Sequence, residues 1–340
     1  MRKRFSYNRD LCKRFISDYK LPIPLLDSEH FFYHIGIYEK DFRSSTKYNR
    51  LVRLIEDKYV GNPEAFLKDY YDIRENIIQT VTNSEAFQKF NNMDMNKFAI
   101  TERPNISSNN IYNQDNIGHF FISVDLKKAN FQVLRNIDKN IVFGADTYED
   151  FIGNFTELEY VKESKYTREV IFGKMNPKRH ITAEKYFITK IYKLLVNALP
   201  ELEDRAISLS NDEIIFKFDD MYKIASNKGI KVETYADNLR EKIRGLSLGV
   251  GFDVHVDFFR LEGYSLNAVT QEGEKPFKTF YMKSYFFGED KFKLISLPLQ
   301  FHSVTYCLLN NVTPYAIDYD FEYEGIIASF KTDFKVVKIN

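Results

Sequence analysis

The chain has no tryptophan and only two cysteines, Cys12 and Cys307, among its 340 residues. Two cysteines so far apart form neither a disulfide framework nor a zinc-binding motif, which favours a reducing compartment. The first ten residues lack the apolar stretch of a signal peptide, and no apolar run approaches the length of a membrane span. We therefore expect a cytoplasmic protein without a membrane partner.

The chain also lacks an excess of charge of either sign, because 48 Lys and Arg balance 48 Asp and Glu. Proteins that coat nucleic acid without sequence preference are usually basic, so the composition disfavours that class. The cations are nevertheless unevenly distributed, with concentrations in the first twenty residues and in residues 162–193. Local basic surfaces on a neutral chain indicate a cleft that binds phosphate at one place.

The hydrophobic residues, at 44% of the chain, are sufficient for well-packed cores, and the pattern predicts an α+β fold. Helical periodicity is found at residues 9–19, 48–59, 63–81, 181–199, 219–227 and 235–244, whereas β-type runs are found at 251–261, 278–287, 292–297 and 323–337. We divide the chain into a mainly helical region with a linker (1–118), a palm-like sheet domain with helices on one face (119–244) and a β-rich C-terminal region (245–340).

Two short acidic segments carry the strongest functional signal. Asp125 ends the apolar run at 120–124, and the pair Asp212-Glu213 precedes the apolar run at 214–216. Strands hold their side chains stiffly, so two neighbouring strands can direct Asp125 and Asp212 towards one point. Two converging carboxylates can hold a pair of divalent metal ions for in-line phosphoryl transfer.

These segments resemble the catalytic motifs of right-hand (palm-domain) nucleic acid polymerases. The first, Asp125-Leu126-Lys127-Lys128-Ala129-Asn130-Phe131, is similar to the first motif of reverse transcriptases. The second, Ser210-Asn211-Asp212-Glu213-Ile214-Ile215, is similar to their third motif and to the His-Asp-Glu motif of family A DNA polymerases, with Asn211 in place of His. The resemblance covers residues 119–235, and the short interval between the motifs fits reverse transcriptases better.

The resemblance implies a template-directed polymerase that uses Mg²⁺ or Mn²⁺, with a nucleic acid template, a primer and nucleoside triphosphates as partners. It assigns metal binding to Asp125 and Asp212, with Glu213 as an assisting catalytic residue. The expected nucleotide- and phosphate-binding residues are Lys127, Lys128, Asn130, Arg168, Lys174, Lys178 and Arg179. Of these, Asn130 replaces the aromatic residue that screens the sugar 2′ position in reverse transcriptases, which leaves the choice between dNTP and NTP open. The last four lie in residues 168–179, which stand where the families have their middle motif.

Other functions fit the same residues. The chain could be a catalytically inactive palm-like protein that binds nucleic acid or a replication partner, or a nucleotidyltransferase that works without a template. The inactive form is favoured if Asp125 and Asp212 lie too far apart to share a metal, or if one of them is buried in a salt bridge.

Asp253, His255 and Asp257 alternate along one strand and form either a second metal site or the solvent-exposed face of an ordinary strand.

Overall fold

The computed structural model describes residues 7–100, 102–271, 273–288, 291–315, 320–323, 326–329 and 334–339. Its helices are α1 (Arg9–Tyr19), α2 (Ser28–Ile37), α3 (Glu39–Phe42), α4 (Ser44–Lys58), α5 (Pro63–Asn83), α6 (Glu85–Asn92), α7 (Ala129–Ile137), α8 (Tyr148–Gly153), α9 (Glu159–Glu163), α10 (Lys165–Gly173), α11 (Pro177–Ala198), α12 (Met221–Asn227), α13 (Val232–Gly249) and α14 (Leu299–Leu309). Its strands are β1 (Phe120–Leu126), β2 (Ala206–Leu209), β3 (Glu213–Lys217), β4 (Val254–Thr270), β5 (Gly273–Phe286), β6 (Phe292–Ile295), β7 (Asp320–Tyr323), β8 (Ile326–Ser329) and β9 (Phe334–Ile339).

Local signals set the ends of the first helix. The Asn8 side chain caps α1 by accepting a hydrogen bond from the Leu11 N–H group at 2.9 Å. At the other end, Lys20 takes a left-handed conformation with φ of 52°, and its N–H group bonds back to the helix. Leu11 and Phe15 lie on the buried face. The observed bounds equal the predicted ones, because periodicity and caps agree here.

The principal sheet is antiparallel, and the described strands follow the order β2-β3-β1-β4-β5-β6, with β9 also paired to β4. Along the chain, the first four strands and the helices between them give the order β-α-β-β-α-β, with α11 before β2 and α13 before β4. This is the split β-α-β arrangement, in which the first strand lies at the centre. The predicted α+β fold is therefore confirmed, together with the helical N-terminal region and the C-terminal strands.

The two faces of β1 have different partners. Ile122, Val124 and Leu126 point into a core formed with apolar residues of α7, α11 and α13. Because successive side chains of a strand alternate, Ser123 and Asp125 point to the opposite face. The helices thus cover one face of the sheet and leave the carboxylate of Asp125 on the other.

A buried polar network fixes the position of α10 against the N-terminal helices. Asp18 of α1 is 0% exposed and accepts hydrogen bonds from Tyr70 at 2.6 Å, Tyr160 at 2.7 Å and Ser164 at 2.8 Å. Arg14, one turn earlier, pairs with the same carboxylate at 3.1 Å. Ser164 caps α10. The network therefore ties α1, α5, α9 and the start of α10 together.

Several elements differ from the predictions. The segment from residue 165 to 173, for which the sequence pattern predicts no element, is helix α10. The predicted strand at 323–337 contains parts of β7, β8 and β9, and residues 324–325 and 330–333 of it lie outside the described residues, as do the basic residues Arg2, Lys3 and Arg4. None of the described helices combines the length and apolar character that crossing a membrane requires.

Candidate active site

Asp125 and Asp212 lie close together at one end of the central strands. Asp125 is near the end of β1, where it pairs with Glu213 of β3 on one side and with His255 of β4 on the other. Asp212 is in the turn between β2 and β3, and its carbonyl oxygen accepts a hydrogen bond from the Leu126 N–H group at 2.8 Å. This bond holds the backbone of the turn next to the residue that follows Asp125.

The turn that carries Asp212 is held by two side chains. Ser210 donates a hydrogen bond from Oγ to Asp212 Oδ1 at 2.9 Å and accepts one from the Glu213 N–H group at 2.8 Å. Arg103 donates to the carbonyl oxygens of Leu209 at 3.2 Å and Ser210 at 2.7 Å. The same guanidinium also donates to the Lys185 carbonyl of α11 at 3.1 Å. The turn is thereby fixed to the helix behind the sheet.

Glu213 is committed to interactions within the protein. Its Oε1 accepts a hydrogen bond from Ser123 at 2.6 Å and forms an ion pair with Lys283 Nζ at 3.2 Å. Lys283 comes from β5, is only 4% exposed and lies over the ring of Phe259, 4.6 Å from its centre. Glu213 therefore links β3 to β1 and β5, and we assign it a positioning role beside the aspartates.

The aspartates have no such partner. Within the described part of the chain, neither Asp125 nor Asp212 forms an ion pair, and the turn hydroxyl of Ser210 is the side chain that bonds to Asp212. Burial, and then the charges of Asp212 and Glu213, raise the pKa of Asp125 from 3.8 to about 7. Three carboxylates thus lie close together, and Lys293 and Lys165 offset only part of their repulsion, so a bound cation would stabilise the site.

A further carboxylate faces the same turn from the helix behind. Glu184 of α11 is 8% exposed, and burial followed by the charge of Asp212 raises its pKa to about 7. The sequence did not single it out, although a signal was present. Glu184 follows Ala183 directly and lies one helical turn before Ile188, and both of these residues are buried in the apolar core, where a charged residue is unusual.

The raised pKa of Asp125 predicts a specific pH dependence of stability. The folded state holds the proton of Asp125 more tightly than the unfolded state, so the free energy of unfolding decreases as pH rises from about 4 to about 7. Asp125→Asn removes this loss and is expected to raise the stability by about 1–3 kcal/mol at pH 8, with no gain below pH 4. Urea denaturation in chelator-containing buffer at both pH values checks this. An equal stability of the two proteins at pH 8 would contradict it.

The aspartates open into a polar cleft of about 730 Å³. Four of the residues predicted to bind nucleotide line it, namely Lys127, Lys128, Asn130 and Arg168. Two of these already have acidic partners, since Lys127 pairs with Asp253 at 2.8 Å and Lys128 pairs with Glu149. Arg168 reaches the cleft from α10. The structure thus brings these four predicted residues together with Asp125 and Asp212.

Two lysines that the sequence did not single out also line the cleft. Lys165 comes from the start of α10 and Lys293 from β6, and both are exposed to the cleft. Desolvation of the Lys165 ammonium group lowers its pKa, and the charges of Lys293 and Arg168 act in the same direction. Cations from α10 and β6 therefore lie in the same cleft as the aspartates.

Lys174, Lys178 and Arg179 lie elsewhere and are not among the residues that line the cleft. The reason is helix α10, which takes up residues 165–173 and separates its two ends by about 13 Å. Its first turn faces the cleft, whereas Lys174 follows its last residue. Arg179 donates hydrogen bonds to the carbonyl oxygens of Phe90 at 3.1 Å and Met93 at 2.7 Å, so it anchors the end of α6.

The start of β4, where the polar residues alternate, borders the cleft. His255 and Asp257 line it, whereas Asp253 pairs with Lys127, and Val254 and Val256 are buried on the other face. Burial lowers the pKa of His255. Among the described residues, no group of three or more His, Cys, Asp or Glu side chains is close enough to hold a metal ion.

Comparison of the chain with protein-family models, with curated proteins and with solved structures gave no match. The geometry of the cleft is therefore the basis for a functional conclusion.

Proposed function

We propose that this chain is a metal-dependent nucleotidyltransferase that extends a nucleic acid primer on a template. The observation that carries the proposal is the pair Asp125 and Asp212. These carboxylates lie close together at one end of the central strands and have no ion-pair partner in the described chain. They open into a cleft whose lining includes Lys165, Arg168 and Lys293. That combination suits a substrate with several phosphate groups and a reaction at a phosphorus atom.

The residues present fit a divalent metal. Mg²⁺ and Mn²⁺ prefer oxygen ligands, and Mg²⁺ is commonly held by one or two carboxylates together with phosphate oxygens of the substrate. Asp125 and Asp212 would supply those carboxylates. The raised pKa of Asp125 reflects burial and then the charges of Asp212 and Glu213, and a bound ion would offset both effects. When bound, the ions lower the pKa of an attacking hydroxyl and neutralise charge on the leaving pyrophosphate.

The protein supplies position and charge around this pair. Lys165, Arg168 and Lys293 line the cleft and neutralise the phosphates of an incoming nucleotide. The links of Glu213 to Ser123 and Lys283 keep β1, β3 and β5 in register beside the aspartates. Most of the rate gain then comes from holding the hydroxyl and the phosphate in line.

Incorporation of labelled nucleotides tests the proposal. Wild-type protein is incubated with each dNTP or NTP, with Mg²⁺ or Mn²⁺, on a primer alone and on a primer annealed to a DNA or RNA template. We expect extension that needs the template and follows its sequence. Extension of the primer alone would identify a template-independent nucleotidyltransferase, and no extension under any condition would contradict the proposal.

A catalytically inactive palm-like protein is the second candidate. It is favoured by one observation, the lack of a described cluster of three metal-ligating side chains. Such a protein would bind nucleic acid through the same cleft without incorporating nucleotides, and the assay above separates the two functions.

Lys165→Ala and Lys293→Ala are expected to raise the KM for the nucleotide about tenfold each, with a smaller change in kcat. Each substitution removes a charge-assisted contact to phosphate that forms when the nucleotide binds. Steady-state kinetics at varied nucleotide concentration check this. Lys223→Ala is the matched control, because Lys223 is exposed on α12 and lines neither this cleft nor the cavity beside it. Unchanged KM values in both cleft variants would remove these lysines from the site.

A further inference from the structure

A second cavity of about 420 Å³ borders the carboxylate cleft. Four residues belong to the walls of both, namely Lys165, Asp257, Tyr285 and Lys293. The remaining walls come from the N-terminal helices and from the C-terminal segment around β6 and α14. We call this cavity the aromatic chamber, after the rings of Tyr19, Tyr38, Phe42, Phe292 and Tyr306 in its walls.

Four of the chamber's rings form one packed set. Phe292 stacks on Tyr306 with 5.3 Å between the ring centres, and Tyr38 lies 4.5 Å from Tyr306 on the same measure. Phe42 contacts Tyr38 edge to face at 5.5 Å. Tyr38 and Tyr306 are buried, whereas Phe42 and Phe292 are half-buried and keep part of their surface accessible. The chamber thus offers aromatic surface on a rigid support.

The chamber also carries more positive than negative charge. Its lining lysines are Lys20, Lys165, Lys291 and Lys293, and its lining acids are Asp41 and Asp257. His302 adds no charge at neutral pH, because burial lowers its pKa. Asp41 accepts a hydrogen bond from the hydroxyl of Tyr306. The excess of lysines continues from the cleft into the chamber, since Lys165 and Lys293 belong to both.

We propose that the aromatic chamber binds an unpaired nucleotide of a single-stranded nucleic acid that passes through the carboxylate cleft. Single-strand binding sites combine a positively charged path for the backbone with aromatic rings on which bases stack. Both are present here, and they are joined to the cleft at Lys165 and Lys293. The proposal rests on the proposed function for the role of that strand as a substrate of the Asp125 site.

The connection between the two cavities, rather than the size of either, favours a strand over a free nucleotide as the occupant of the chamber. Pockets for small ligands measure about 300–1,000 Å³. The cleft, at about 730 Å³, is therefore large enough for one nucleoside triphosphate by itself. The chamber is additional space with its own rings and lysines, which suits the next nucleotide of a bound strand.

The test is the binding of a fluorescein-labelled single-stranded 12-mer, measured by fluorescence anisotropy at fixed salt without metal or triphosphate. Phe292→Leu and Phe42→Leu keep apolar volume but remove a stacking face, and each is expected to weaken binding about tenfold. Tyr222→Leu is the matched control, because Tyr222 is an aromatic residue that is 51% exposed and lines neither cavity. A 12-mer with abasic central positions is expected to bind wild type about tenfold more weakly and to be insensitive to Phe292→Leu.

Equal affinity of wild type and both chamber variants for the 12-mer would overturn the proposal. So would equal binding of the abasic and the normal strand, or displacement of the strand from the chamber by a free nucleoside monophosphate at equal concentration. Asp125→Asn separates this proposal from the proposed function. If the chamber binds a strand, Phe292→Leu weakens binding of the 12-mer in the Asp125→Asn background as it does in wild type, whether or not the wild-type protein incorporates nucleotides.

Discussion

Asp125→Asn is expected to reduce metal-dependent nucleotide incorporation by about 10²–10³-fold, since it removes one of the two carboxylates that would hold the metal. Asparagine keeps the size of the side chain and its place on β1. The folded structure is therefore retained, and its thermal stability at pH 8 increases because a buried charge and its repulsion with Asp212 are removed. Asp212→Asn is expected to have a similar effect on incorporation. Single-turnover extension of a labelled primer measures both.

The control for this comparison is Asp57→Asn, an exposed aspartate of α4 that lies in neither cavity. It should incorporate nucleotides like wild type. If Asp125→Asn and Asp212→Asn both extend the primer at the wild-type rate, the assignment of the active site is wrong. If wild type and all variants are inactive but bind nucleic acid, the inactive palm-like alternative is supported.

Asp18→Ala is expected to lower the free energy of unfolding by about 3–5 kcal/mol, the largest stability effect we predict. The substitution leaves the guanidinium of Arg14, which is 8% exposed, without its buried partner. The hydroxyls of Tyr70, Tyr160 and Ser164 lose their shared acceptor as well. Urea denaturation monitored by circular dichroism provides the measurement.

The matched control is Asp10→Ala, which changes an exposed aspartate on the same helix. Its effect should stay within about 0.5–1 kcal/mol, the range for a surface position near a helix start. If Asp18→Ala lowers the free energy of unfolding by no more than Asp10→Ala does, the hydrogen-bond network around Asp18 does not stabilise the fold. Because Ser164 caps the helix that carries Lys165 and Arg168, partial disorder of α10 should also weaken phosphate binding in the cleft.

The elements that the sequence predicted best are those with local signals. Helix α1 has a capping asparagine, an apolar stripe and a left-handed end, all within residues 8–20, so its bounds could be read directly. Helix α10 has no counterpart among the predicted elements. Its helical state depends on contacts with distant residues such as Asp18, which no local pattern shows.

The residues of the candidate site also fall into two groups, those with a local sequence signal and those without one. Asp125 and Asp212 could be predicted because each adjoins an apolar strand, and the sheet order then brings them together. The ion pair of Glu213 with Lys283 joins residues 70 positions apart, and the register of β5 alone determines it. Lys165 and Lys293 come from different elements and meet only in the folded cleft, so neither could be found from spacing.

The central claim is that Asp125 and Asp212 together hold divalent metal at a nucleotide site. The most direct test is a Mn²⁺ titration followed by electron paramagnetic resonance, in which binding removes the free-ion signal, with a non-hydrolysable nucleoside triphosphate present. Wild type is predicted to bind Mn²⁺ well above the level of nucleotide alone, whereas Asp125→Asn and Asp212→Asn each lose that binding. Identical Mn²⁺ binding by wild type and both variants would contradict the claim.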